Sequence, residues 1–115
     1  MSERDIVLLL QDIQTAIMSI LQYTEGFTLE KYESDLKTRH AVERNFEIIG
    51  EATARVPAAY KDLHPNIEWR IIKDFRNFIV HDYFGINNQI VWDTIQFRLP
   101  DLLSQIKELL EKNEK

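Results

Sequence analysis

Apolar side chains recur along this chain at spacings of three and four, the period of a helix that buries one face. Ile6, Leu10, Ile13, Ile17 and Leu21 form one such line. Ser2 precedes it, with Asp5 three residues on, as in a capping box. Val7 and Met18 add a second apolar line, so this helix is expected to touch two neighbours. Gly26 breaks the pattern, and Thr28 can cap a short segment through Tyr32. Ser34 or Asp35 then caps a long helix to about Arg55. Its buried line is Val42, Phe46, Ile49, Thr53 and Val56, widened by Ala41, Ile48 and Ala52. Gly50 sits inside it at a cost of about 1 kcal/mol relative to alanine. Close approach of a neighbouring helix would explain that cost. Asn45 falls on the apolar arc, so it is either a satisfied core amide or faces a partner.

Pro57 suits the first turn of a short helix ending near Leu63, and His64-Pro65-Asn66 reads as a loop. The next helix runs from about Glu68 to Tyr83. Gly85 stops it, and Asn87 or Asn88 caps a last helix carrying Ile90, Val91, Thr94, Ile95 and Phe97. Pro100 should interrupt that helix before Leu102 to Leu110. No stretch alternates as a strand does. The expected fold is all-α, an up-and-down bundle of four long helices with one or two short ones.

Composition narrows the chemistry. A chain of 115 residues fits one domain, residues 1–115, and 44% hydrophobic content can build a core. Cysteine is absent, which rules out disulfides, thiolate nucleophiles and cysteine-ligated metals, and fits a reducing compartment. The apolar run Ile6 to Leu10, behind a charged start, is too short for a signal core or a membrane span, so a soluble, cytoplasmic protein is expected. The net charge of −5 argues against a broad electrostatic grip on nucleic acid. Any phosphate contact must come from a local cluster of cations.

One such cluster lies in Arg76-Asn77-Phe78-Ile79-Val80-His81-Asp82-Tyr83-Phe84. An arginine that stays charged, beside a histidine that titrates near neutrality, suits the handling of a phosphodiester. On a wheel of about 100° per residue, Ile71, Ile72, Phe75, Phe78 and Ile79 share the expected core face. Arg70, Lys73, Asp74, Arg76, Asn77 and His81 lie opposite, with Tyr83 beside Arg76. Asn77 and His81 are four apart, so the amide can orient the imidazole. Trp69 and Val80 fall within the polar arc, where a second protein surface would suit them better than water. A two-fold axis near this helix would supply it and bring two Arg–His sets to one cleft.

Arg and His five apart occur in many proteins. Asn after the Arg, Tyr two after the His and Gly two further on make the pattern more specific. Arg76-Asn77-x-x-x-His81-x-Tyr83 resembles the R-x4-H-x-Y signature of HEPN domains, and within them the HepT type. The stretch Arg44-Asn45-Phe46-Glu47-Ile48-Ile49-Gly50-Glu51-Ala52, with Trp69-Arg70 and Tyr83-Phe84-Gly85, extends that resemblance over nearly the whole chain. The resemblance implies a homodimeric, metal-independent endoribonuclease acting as the toxin of a toxin–antitoxin system. It implies Arg76 and His81 as the active pair, with Asn77 in support. It also implies a partner, an MntA-like nucleotidyltransferase antitoxin, that transfers AMP to Tyr83.

The residues themselves allow this chemistry. RNA carries its own nucleophile, the 2′-hydroxyl, so cleavage needs a proton acceptor, a proton donor and a cation. His81 is the residue of the cluster suited to moving protons near pH 7. No cofactor or metal is implied: His40, His64 and His81 lack ligand spacing, and Glu43, Glu47 and Glu51 read as a solvated row. Tyr83 is either a helix-end ring with a wet hydroxyl or an acceptor for an adenylyl group. Two other classes remain open: a non-catalytic HEPN dimer that binds nucleotide or a nucleotidyltransferase partner, and a purely structural helical dimer.

Overall fold

Ser2, Thr28, Asp35 and Asn87 each open a helix by satisfying its first free backbone amides with a side-chain oxygen. The computed structural model describes residues 2–81 and 85–113, the side chains of residues 80, 81 and 113 excepted. Among the described residues there are seven helices and no strand: α1 Glu3–Tyr23, α2 Leu29–Ser34, α3 Leu36–Arg55, α4 Ala58–Leu63, α5 Trp69–His81, α6 Asn88–Phe97 and α7 Leu99–Asn113. The Asp5 amide donates to Ser2 Oγ and the Ser2 amide to Asp5 Oδ2, each at 3.2 Å, which closes the expected capping box. Thr28 Oγ1 accepts from the Lys31 amide at 3.1 Å. Asp35 caps α3 by accepting from the Thr38 amide at 3.0 Å, and that bond holds its carboxyl below the ordinary value. Asn87 Oδ1 accepts from the amides of Gln89 and Ile90. Gly26 and Gly85 take positive φ, 77° and 99°, where a side chain would be strained.

α1 and α3 pack along each other, α7 covers the other side of α1, and α5 packs on α3. α1 is long and apolar enough to cross a membrane by length and composition alone. Its apolar line is instead taken up inside the bundle, where Leu10, Ile13, Ile17 and Ile20 are essentially inaccessible. Burying each such side chain contributes about 1.5–3 kcal/mol. The buried line leans toward Ala16 and Ile20 rather than Leu21, and Met18 of the expected second line is half exposed. On α3 the expected set is buried in Val42, Phe46, Ile49, Ala52, Thr53 and Val56, and Gly50 joins it. Asn45 is a satisfied amide, donating from Nδ2 to the Ala41 carbonyl at 2.8 Å. The chain breaks at Arg98, just ahead of Pro100, which divides the expected last helix into α6 and α7.

Candidate active site

α5 carries the expected site, and its seat on α3 decides which way each side chain faces. Phe75 meets Phe46 of α3 edge to face, with ring centroids 4.8 Å apart. One turn further along α3 lies Gly50. A Cβ built there would overlap Cβ and Cγ of Arg76 and stand 3.2 Å from its Cδ. The stem of Arg76 therefore lies in a notch that only glycine leaves open. This is the close approach that the glycine inside α3 foretold.

The buried stripe of α5 is rotated relative to the wheel. Ile79 is buried, while Ile72, Phe75 and Phe78 pack against the core. Ile71, expected inside, is 49% exposed, and Trp69, expected on the polar arc, is only 8% exposed. The rotation has a physical cause. α5 packs chiefly on α3, and between α5 and the α6–α7 side an open cleft of about 570 Å³ remains, walled in part by Ile71, Phe97 and Leu102. Contact with α3 thus sets the stripe, and Arg76 falls inside it. Trp69 needs no second subunit: its indole is held within the chain by donating from Nε1 to the His64 carbonyl at 3.0 Å. Trp69 therefore gives no sign of a two-fold axis at this helix. The side chain of Val80 lies outside the described residues.

Arg76 is half-buried, and its Nη1 donates to Asn77 Oδ1 at 3.3 Å. Its Nε is buried without a hydrogen-bond partner among the described residues. Two features thus constrain the guanidinium: the Gly50 notch around the stem and the Asn77 amide at the head. Asn77 meets the arginine, its next-door neighbour, and its expected contact with the His81 ring lies outside the described residues. His81 closes α5 as its last residue, on the same helix as Arg76 and Asn77. Its side chain, and the whole of Tyr83, lie outside the described residues.

Other groups considered from sequence fall elsewhere. Arg44 Nη1 lies 3.0 Å from Glu47 and 3.9 Å from Glu51, so two members of the acidic row are engaged by an arginine. Glu43 is partly buried, and desolvation raises its carboxyl pKa, with Glu47 adding to the rise against His40 and Arg39. His40 is exposed, and His64 stacks on Tyr60 with centroids 4.6 Å apart. Among the described residues no three carboxylates and histidines converge as metal ligands would. The large cleft does not include Arg76 or Asn77 among its walls.

The fold and site together define an all-α bundle that holds one arginine rigidly on a helix it shares with a histidine. A family model described as ribonuclease HepT-like matches residues 13–109. The chain belongs to this ribonuclease HepT-like family, within the HEPN superfamily. A relative from Thermococcus cleftensis, named as a probable ribonuclease HepT, is 38% identical over 87% of this chain and 91% of its own length. Two more, each named as a candidate RNase, come from Methanocaldococcus jannaschii and Caldanaerobacter subterraneus subsp. tengcongensis. The first is 32% identical over 96% of this chain and 92% of its own length, the second 34% over 81% and 83%. No solved structure matches the chain.

Proposed function

We propose that this chain is the toxin of a toxin–antitoxin pair, a homodimeric endoribonuclease that cleaves RNA without a metal through Arg76 and His81. The observation that carries this reading is the seat of Arg76. A surface arginine would need neither a glycine notch nor a neighbouring amide, yet this one has both. Membership of the ribonuclease HepT-like family and the names of the relatives support the same reading.

In this reading the RNA 2′-hydroxyl oxygen attacks the adjacent phosphorus while His81 takes its proton. The P–O5′ bond breaks, and the departing 5′ oxygen takes a proton from a second histidine, His81 of the partner subunit. Arg76 pairs its planar fork with the two non-bridging oxygens, where charge gathers in the transition state. The products are a 2′,3′-cyclic phosphate and a free 5′-hydroxyl. Asn77 holds the guanidinium in place for that pairing. An MntA-like nucleotidyltransferase is the antitoxin, and it transfers AMP to the Tyr83 hydroxyl. The added anion and bulk over the catalytic pair silence the enzyme.

The test is cleavage of an RNA oligonucleotide beside its 2′-deoxy counterpart, with chelator present. RNA should be cut to a cyclic phosphate, and His81→Ala or Arg76→Ala should lower the rate at least about a hundredfold. A 2′-deoxy strand cut as fast as RNA would end the mechanism. A wild-type chain that binds nucleotide and cuts nothing would instead make the protein a non-catalytic module. Mass spectrometry after co-expression with the transferase reads the modification, and AMP still found on this segment of Tyr83→Phe would refute the tyrosine assignment.

A further inference from the structure

In a chain of net charge −5, the positive residues near Arg76 are not evenly mixed with acids. Residues 52–81 hold five of the 14 lysines and arginines and only three of the 19 carboxylates. Arg70 and Lys73 are three apart on α5, and Asn77 follows four residues later, so these side chains share one flank of the helix. Lys73 is also three residues from Arg76. From the neighbouring α4, Lys61 reaches the same region: it lines a shallow depression of about 500 Å³ together with Arg70 and Trp69.

Among the described residues the carboxylates nearby form no ion pair with these cations. Glu68, on the rim of the depression, is taken by Arg98 at 3.0 Å. Asp62 lines it too, and Asp74 lies on α5, but among the described residues neither forms an ion pair with Lys61, Arg70 or Lys73. Lys61 instead feels Lys73: burial first, and then that second positive charge, lowers its ammonium pKa. Two like charges held within reach of each other cost free energy that a polyanion would offset.

We propose that Lys61, Arg70 and Lys73 form a phosphate track that leads single-stranded RNA along α4 and α5 to Arg76. This deepens the ribonuclease reading and rests on it. The cations position the strand through its phosphates and carry no base preference. An acidic protein thereby confines nucleic-acid binding to the flank that leads to Arg76.

The full chain carrying His81→Ala binds a fluorescent single-stranded RNA without cutting it, and anisotropy is followed as salt rises. With Lys61→Glu and Lys73→Glu added, the slope of log affinity against log salt should shrink by about 1.4, or about 0.7 for each lost phosphate contact. Lys37→Glu with Lys107→Glu, the same change in net charge at exposed positions on α3 and α7, should leave the slope unchanged. Lys73→Gln alone, at an exposed position, should show about half of the change and covers the event that the pair fails to fold. In the otherwise active enzyme, the Lys61 and Lys73 changes should raise KM and spare kcat. A slope and KM equal to wild type, or an equal loss in the Lys37 and Lys107 control, would overturn the track alone. A wild-type chain that neither binds nor cuts RNA would remove the ribonuclease reading and the track together.

Discussion

α3 packs chiefly on two helices, and it meets them by different rules. The contact with α1 is built within a cluster of inaccessible aliphatic side chains. The contact with α5 combines an aromatic pair, Phe46 and Phe75, with an arginine stem laid over a glycine. Excess apolar burial makes the first contact tolerant of detail, because neighbouring side chains can partly close a gap. The second depends on one missing methyl group, because nothing larger than glycine leaves room for Arg76. A bundle can therefore hold its stability on one side of a helix and its candidate site on the other.

The largest expected effect tests the first contact. Ile17→Ala removes a fully buried side chain from α1 and should cost about 2–5 kcal/mol. Denaturant unfolding would read the change as a lower midpoint at unchanged slope. Cleavage measured well below the new midpoint should stay near wild type, since α1 positions no site residue. A variant that remained folded yet lost activity would show that the two sides of α3 are not separable.

Gly50→Ala tests the second contact. On helix propensity alone, alanine should stabilise α3 by about 1 kcal/mol. Overlap with Arg76 opposes that gain, and overpacking typically costs about 1–3 kcal/mol. The overlap involves Cβ and Cγ near the helix backbone rather than the flexible end of the side chain, so α5 must shift. We expect a net loss of about 1 kcal/mol in unfolding experiments, with kcat falling by at least about tenfold. A stabilised, fully active Gly50→Ala protein would show that the notch does not position Arg76.

These two contacts were not equally legible from the chain. The α1 and α3 lines follow from period alone, because aliphatic residues at helical spacing have one economical place to go. The caps at Ser2 and Thr28 were legible for a similar reason, a side-chain oxygen beside free amides acting locally, while Asp35 and Asn87 were each one of two adjacent candidates. On α5 the wheel turns the buried stripe, because it ranks residues by polarity and cannot know which neighbour the helix meets. Arg76 looks exposed by type but lies against α3, while Ile71 looks buried and borders an open cleft. Trp69 is hidden by the loop before it, which period does not report. Gly50 was a signal without an address: its cost marked a close approach but did not name Arg76. Lys61 gave no sign at all, since its nearness to Lys73 arises only when α4 folds beside α5.

The smallest expected effect concerns another polar exception along α3. Glu43 lies partly buried near Tyr32 of α2, whose hydroxyl pKa burial raises first and the Glu43 charge raises further. If every exception on this helix served the site, Glu43 would matter for cleavage. We expect otherwise, because among the described residues nothing connects it to Arg76. Its folded-state pKa lies above the ordinary value of 4.5, so ionisation is harder in the folded than in the unfolded chain. The unfolded state therefore loses its proton first as pH rises, and wild-type stability falls across the window from 4.5 up to the folded value. Above that window the cost is fully present; well below 4.5 both states are protonated and it vanishes. Glu43→Gln keeps the shape without the charge, so it should melt higher than wild type at pH 7 and level with it near pH 3.5, with cleavage unchanged. A variant that melts lower at pH 7 would mean that His40 and Arg39 stabilise the carboxylate by more than its burial costs, and a variant that loses cleavage would make Glu43 part of the site.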